Sequence, residues 1–233
     1  MLRLFALGMV MGSRRITGLE IQQRDKERVN VYLDGEYAFA LSRVAAAHLK
    51  TGQTLTQAEI DVLRAHDEVT RAVDYAARLL ARRPYSCAEI RQRLQTRHFA
   101  DSAIEQALTH LAELGYVDDR AFARYWVESR ERFSPRGPQA LRYELRQKGV
   151  APAVIDAALV EMNALDSAIR AAQAAARRWR GLPRAVARQK MGAFLSRRGF
   201  DYETVHEAVS AVFDQLAHEQ PEFFAVDDNP DNE

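Results

Sequence analysis

The sequence predicts a mainly α-helical protein: a tandem array of three three-helix bundles, elongated, with a small N-terminal antiparallel β-hairpin or sheet region. Three observations predict it. One pattern of apolar residues recurs three times, at offsets of 51 and then 50 residues. Inside each copy the apolar residues fall three and four apart and end at a helix-stopping position, which marks amphipathic helices. Residues 16–41 alone leave that period and read as short β-prone runs.

In chain order, residues 1–13 form an apolar leader. Met1 to Gly12 carry one charge, Arg3, fall short of the ~20 apolar residues of a membrane span and lack the flanks of a strong signal peptide. Residues 14–66 form the N-terminal region. Ile16 to Ile21, Arg28 to Leu33 and Tyr37 to Leu41 are its strand candidates, and Asp34-Gly35 is a hairpin turn signal, so a sheet of two or three strands is expected. Ser42 to Lys50 reads as a helix stopped by Gly52, and Thr56-x-x-Glu59 as a capping box that opens another. The junction with the bundles is expected at Ala65 to Glu68.

The three bundles are read as residues 67–115, 116–164 and 165–217. Their first helices carry the stripes Val69, Val73, Ala76, Leu80; Phe122, Trp126, Ser129, Phe133; and Ile169, Ala172, Ala176, Trp179. The middle helices align as Ile90/Leu141/Met191 and Leu94/Leu145/Leu195, preceded by the capping box Ser86-x-x-Glu89 in the first unit and by Pro138 in the second. Gly149 and Gly199 supply the left-handed residue that ends such a helix, and His98 holds that slot in the first unit. The last helices start near Asp101, Pro152 and Asp201 and bear Ile104/Ile155/Val205, Leu108/Leu159/Val209 and a column of Ala107/Ala158/Ala208, whose small size implies close approach of another helix. Residues 218–233, with acids and no Lys or Arg, are expected to form an acidic tail that is disordered beyond about Phe224.

Charge is nearly balanced overall, 33 Lys and Arg against 32 Asp and Glu, but not locally. Residues 167–200 hold nine cations and no acid, and residues 120–148 are also basic. Such stripes suit phosphate backbones or an acidic protein surface, with solvated helix faces as the ordinary alternative. Trp126 and Trp179 lie on apolar stripes and read as core, with base stacking as the alternative. The chain has one Cys and six scattered His and shows no phosphate-binding loop, dinucleotide fingerprint or nucleophile elbow. No catalytic, cofactor-binding or metal-ligating residue is expected, and the single Cys points to a reducing, cytoplasmic compartment.

The link Leu114-Gly115-Tyr116-Val117-Asp118-Asp119 followed by Phe122-Ala123, the stretch Leu141 to Val150, and Arg197-Arg198-Gly199-Phe200-Asp201 closely resemble the RecX family, bacterial regulators of the RecA recombinase. The resemblance spans about residues 69–216, and His98 departs from the family's usual Gly. It implies a non-enzymatic protein that binds the RecA filament and mainly inhibits its ATPase, coprotease and strand-exchange activities, with single- or double-stranded DNA as a further contact; a monomer without a membrane partner is expected. From basic density, the partner-binding candidates are Arg124, Arg130, Arg132, Arg142, Arg146, Arg177, Arg178, Arg184, Arg188 and Lys190. The alternative, from a different class, is a sequence-nonspecific DNA-binding helical protein acting through the same stripes.

Overall fold

The computed structural model describes residues 12–225. Residues 1–11, most of the apolar leader, and 226–233, the end of the acidic tail, lie outside the described residues. The described residues divide into two compact units, one of residues 12–83 and 90–116, the other of residues 84–89 and 117–225.

In the first unit, β1 (Ser13–Ile21), β2 (Arg28–Leu33), β3 (Glu36–Ser42) and β4 (Thr54–Thr56) form one antiparallel sheet in the order β3-β2-β1-β4. Alternate residues point into its core, with Ile16, Val31, Leu33 and Leu41 almost fully covered. Asp34 and Gly35 both take positive φ, 53° and 91°, as a tight two-residue hairpin turn between twisted strands requires. The Asp34 carboxylate accepts from the Arg15 N–H at 2.9 Å and from Arg14 Nε at 3.0 Å, and these bonds lower its pKa. The sheet has four strands, not two or three. β4 is only three residues long, too short to display alternation in the sequence, and it is defined by its pairing with Ser13–Arg15. That pairing also shortens the helix expected over Ser42 to Lys50 to α1 (Arg43–Ala46), because the chain must turn back to place Gln53 and Gly52 against Ile16, through bonds of 2.8 Å each.

Helix α2 (Gln57–Leu80) opens at the expected capping box. The Glu59 carboxylate accepts from the Thr56 N–H at 2.7 Å, and Thr56 Oγ1 accepts from the Glu59 N–H at 3.3 Å. It then runs unbroken through 65–68, where the junction was expected: no Gly or Pro interrupts it, and Asp67 ties it back to the sheet. The buried Asp67 carboxylate receives Arg28 Nη1 at 2.8 and 2.9 Å and the Ser42 N–H at 2.6 Å. One helix therefore serves both the sheet and the first bundle. Its bundle face is Ala72, Ala76 and Leu79, a rotation from the expected stripe that leaves Val69, Val73 and Leu80 half-buried. Alanines face α4 (Asp101–Glu113), where Ala103 and Ala107 are buried in turn, so the two helices pack directly against each other. Helix α3 (Cys87–Gln95) contributes Ile90 and Leu94, both fully buried.

The second unit holds α5 (Asp119–Phe133), α6 (Pro138–Gln147), α7 (Pro152–Val160), α8 (Ala164–Ala175) with a 3-10 turn at Ala176–Trp179, α9 (Arg184–Arg197) and α10 (Tyr202–Glu219). Phe122, Val127, Leu141, Leu145, Val150, Ile155 and Leu159 form the second bundle's core. Phe133, expected on the buried stripe, is 75% exposed; it is the last residue of α5, with no further turn to cover it, and Val127 takes the core place. In the third bundle, Ala168, Ala171, Ala172 and Ala175 of α8 pack on α10, and Trp179 and Met191 complete the core. The described part of the acidic tail, residues 218–225, packs on the third bundle up to the point, about Phe224, beyond which disorder was expected. α10 continues to Glu219, Phe223 is buried and Phe224 stacks on Phe213 at 4.5 Å, because this aromatic pair gives an otherwise acidic segment an apolar anchor.

The repeat extends to the seams. Gly149 has φ 73°, and a Cβ there would lie 2.3 Å from Ala88 Cβ; Gly199 has φ 85°, and its Cβ would lie 2.5 Å from Ala140 N. Each glycine is needed twice, for backbone conformation and for close approach. The carbonyl just before it accepts an equivalent bond in both places: from Ser86 Oγ to Lys148 at 2.6 Å, and from the Gly137 N–H to Arg198 at 2.8 Å. His98 takes the same left-handed backbone, φ 61°, with an exposed side chain, so its imidazole meets no such barrier.

Candidate functional site

The ten candidate cations divide according to what surrounds them. In the second bundle Arg130 is already engaged: its Nε donates to Glu144 at 2.7 Å and its guanidinium lies 4.5 Å from the Trp126 ring. Arg142 pairs with Asp156 at 3.1 Å. Arg132 rests over Phe133, while Arg124 and Arg146 are exposed and have no carboxylate at ion-pair distance among the described residues. Trp126 is structural, since its indole N–H donates to Glu144 at 2.8 Å and Lys148 Nζ sits 4.2 Å from its ring. Lys148 itself pairs with Glu89 at 2.9 Å.

The third bundle is different. Arg177, Arg178, Arg184, Arg188 and Lys190 are all exposed and, among the described residues, none has a carboxylate partner. Three of them hold their guanidiniums over aromatic rings instead: Arg184 is 5.7 Å from both Phe213 and Phe224, Arg188 is 4.8 Å from Phe213, and Arg178 is 5.7 Å from Phe194. Such packing orders a guanidinium without neutralising it. The first turn of α9 has no acidic residue, and its N-cap, Pro183, offers no side-chain acceptor. Arg178, Lys190 and Arg197 line a shallow concavity floored by Trp179, Ala193 and Phe194. Trp179 is buried, so its role there is that of a wall.

Besides Arg197, two more cations outside the candidate set, Arg198 and Arg136, join this surface. Arg198 donates from Nη1 to the Pro135 carbonyl at 2.8 Å and lies 4.7 Å from Phe194. Burial, followed by the like charges of Arg136 and Arg178, pulls its pKa below the ordinary arginine value. Arg97, Lys148 and Arg198 hold the same place in the three repeats, just before the helix stop, where a cation also favours the negative helix end. Arg136 falls in no repeated column, and only the fold brings it to Arg198.

Among the described residues, no group of three or more His, Cys, Asp and Glu side chains is placed to hold a metal ion. No helix there is long and apolar enough to cross a membrane. Cys87 opens α3, and its N–H donates to Asp119 at 2.9 Å. The basic surface offers electrostatic binding.

Family models match along the chain in order: the regulatory protein RecX N-terminal domain over residues 14–56, and the first, second and third RecX three-helix domains over 72–111, 118–159 and 163–209. A regulatory protein RecX of Chlorobium phaeobacteroides is 39% identical over 145 residues, 61% of this chain and 94% of that one. One from Listeria welshimeri is 29% identical over 207 residues, 87% of this chain and 77% of that one. A crystal structure of a regulatory protein RecX covers 85% of this chain and 99% of its own, with a TM-score of 0.67 and 28% identity. These relatives are named as regulators, and their three-helix modules coincide with the repeat seen here. With its sheet and all three helical modules matched in sequence order, the chain belongs to the RecX family.

Proposed function

We infer that this protein is a non-enzymatic, cytoplasmic, monomeric regulator that binds the RecA filament and chiefly inhibits its ATPase, coprotease and strand-exchange activities. The observation that carries this reading beyond family membership is the set of exposed third-bundle cations without carboxylate partners among the described residues, Arg177, Arg178, Arg184, Arg188 and Lys190. Cations that no internal acid neutralises retain their field for an external acidic or phosphate-bearing surface. Bundles read as residues 67–115, 116–164 and 165–217 provide several binding modules on one chain. Weak contacts linked in this way reinforce one another through effective concentration. Inhibition then requires only that the bound chain favour one filament state over another.

The test is single-stranded-DNA-dependent ATP hydrolysis by the cognate RecA during titration with this protein at substoichiometric ratios. Hydrolysis is expected to fall; an unchanged rate at every ratio removes the reading. The second reading, direct and sequence-tolerant DNA binding, draws on the concavity of Arg178, Lys190 and Arg197 around Phe194. It requires affinity for DNA that falls steeply with salt, and inhibition retained by a variant without DNA affinity favours the RecA contact.

A further inference from the structure

At the seam between the second and third bundles, arginines from different parts of the chain gather with too little negative charge. Arg136 lies in the link between α5 and α6, Arg178 in the 3-10 turn after α8, and Arg198 at the C-cap of α9. Arg198 is fixed to this link by its 2.8 Å bond to the Pro135 carbonyl. Arg178 and Arg198 both lie against the Phe194 ring, at 5.7 and 4.7 Å. The carboxylate nearest to Arg136 is Glu144, whose Oε1 is 3.8 Å from Arg136 Nε, too far for a hydrogen bond. The other oxygen of Glu144 already receives Trp126 Nε1 and Arg130 Nε, at 2.8 and 2.7 Å.

Arg136 Nε is buried with no hydrogen-bond partner among the described residues. A buried donor without a partner, beside the partly buried guanidinium of Arg198, is an unfavourable arrangement that a bound anion relieves. The depressed pKa of Arg198 has the same origin, with burial first and then repulsion from Arg136 and Arg178. Arginine, with a planar fork of N–H donors, matches oxygens of tetrahedral anions better than a point charge does.

We propose that Arg136, Arg178 and Arg198 form a binding site for a phosphate-class oxyanion at the seam of the second and third bundles. The anion joins the α5–α6 link to the third bundle and thereby stiffens the seam. The site does not rest on the RecA reading, because its test needs only the free protein.

The experiment is thermal melting of the full chain with pyrophosphate, against sodium chloride at matched ionic strength. Binding to the folded state alone raises the midpoint by about 5–10 °C at a hundredfold excess over Kd. R136Q/R178Q leaves the Arg198 bond in place and relieves like-charge repulsion. It is expected to retain the helical circular dichroism, melt no lower than the parent without ligand, and lose the rise with pyrophosphate. R124Q/R146Q, which removes exposed cations elsewhere, should keep the rise. No rise beyond the chloride control, a rise that survives R136Q/R178Q, or one equally lost in R124Q/R146Q overturns the proposal. If R136Q/R178Q fails to fold, R178Q alone takes its place, and an undiminished rise in that variant is equally fatal. A parallel melt with oligothymidylate separates the sources: a rise with both ligands assigns the site to nucleic-acid phosphodiesters, and a rise with pyrophosphate alone to a free polyphosphate.

Discussion

Asp67 is one of three polar residues classed as buried among those described, and it is buried with company. Its carboxylate holds both the Arg28 guanidinium and the Ser42 N–H, and Arg28 Nη2 donates on to the Ala40 carbonyl at 2.9 Å. This network joins β2 and β3 to the middle of α2. Removing one partner strands the other charge, whereas replacing both with apolar residues removes the desolvation cost along with the attraction. D67A is therefore expected to destabilise the protein by about 3 kcal/mol in urea unfolding. A double replacement, R28M/D67L, is expected to cost less than D67A alone. A D67A variant as stable as the parent would show that the network contributes no net stability. Nothing local in the sequence announced this pair, because its members are 39 residues apart. A lone Asp inside an amphipathic helix ordinarily reads as a solvated position.

Among the secondary-structure elements, the seams depend on single glycines. Gly149 ends the helical segment of α6 with a positive φ, and its Cα lies against Ala88. Gly181 also has a positive φ, 75°, but a Cβ there would meet nothing within 4 Å. G181A should lose only about 1 kcal/mol, from backbone strain. G149A adds an overpacking penalty of roughly 1–3 kcal/mol. Comparison of the two melting midpoints tests this; equal losses would mean that the seam yields without cost. The sequence pattern already identified the stop positions, because a helix end is a local event that its own residues specify. It did not identify the partner surface of each glycine, which comes from another bundle. The same division explains α2. Its capping box was legible, while its buried face depended on alanines opposite, in α4.

Across the whole molecule, charge is distributed by engagement. Arg130, Arg142 and Lys148 in the second bundle and Arg170 in the third meet internal carboxylates, whereas Arg124, Arg146 and the third-bundle set Arg177, Arg178, Arg184, Arg188 and Lys190 have none at ion-pair distance among the described residues. Reversing R177E, R184E, R188E and K190E together tests this surface while leaving Arg136, Arg178 and Arg198 themselves in place. Exposed charges contribute a few tenths of a kcal/mol each, so four of them amount to about a tenfold loss of potency. The measured quantity is inhibition of RecA ATP hydrolysis by a variant with unchanged circular dichroism. Undiminished inhibition would exclude these residues as the contact.

The sequence by itself determined the repeat, the helix stops, the capping boxes, the hairpin turn and the blocks of like charge, because each depends on residues within about a turn or a strand of one another. Tertiary structure alone decided that β4 completes the sheet, that α2 spans the expected junction and that Phe223 and Phe224 hold the chain against the third bundle. It also decided which arginines are engaged and which remain open. A cation's availability depends on whether a carboxylate from elsewhere in the chain lies within a few ångströms, and spacing along the sequence carries no record of that distance.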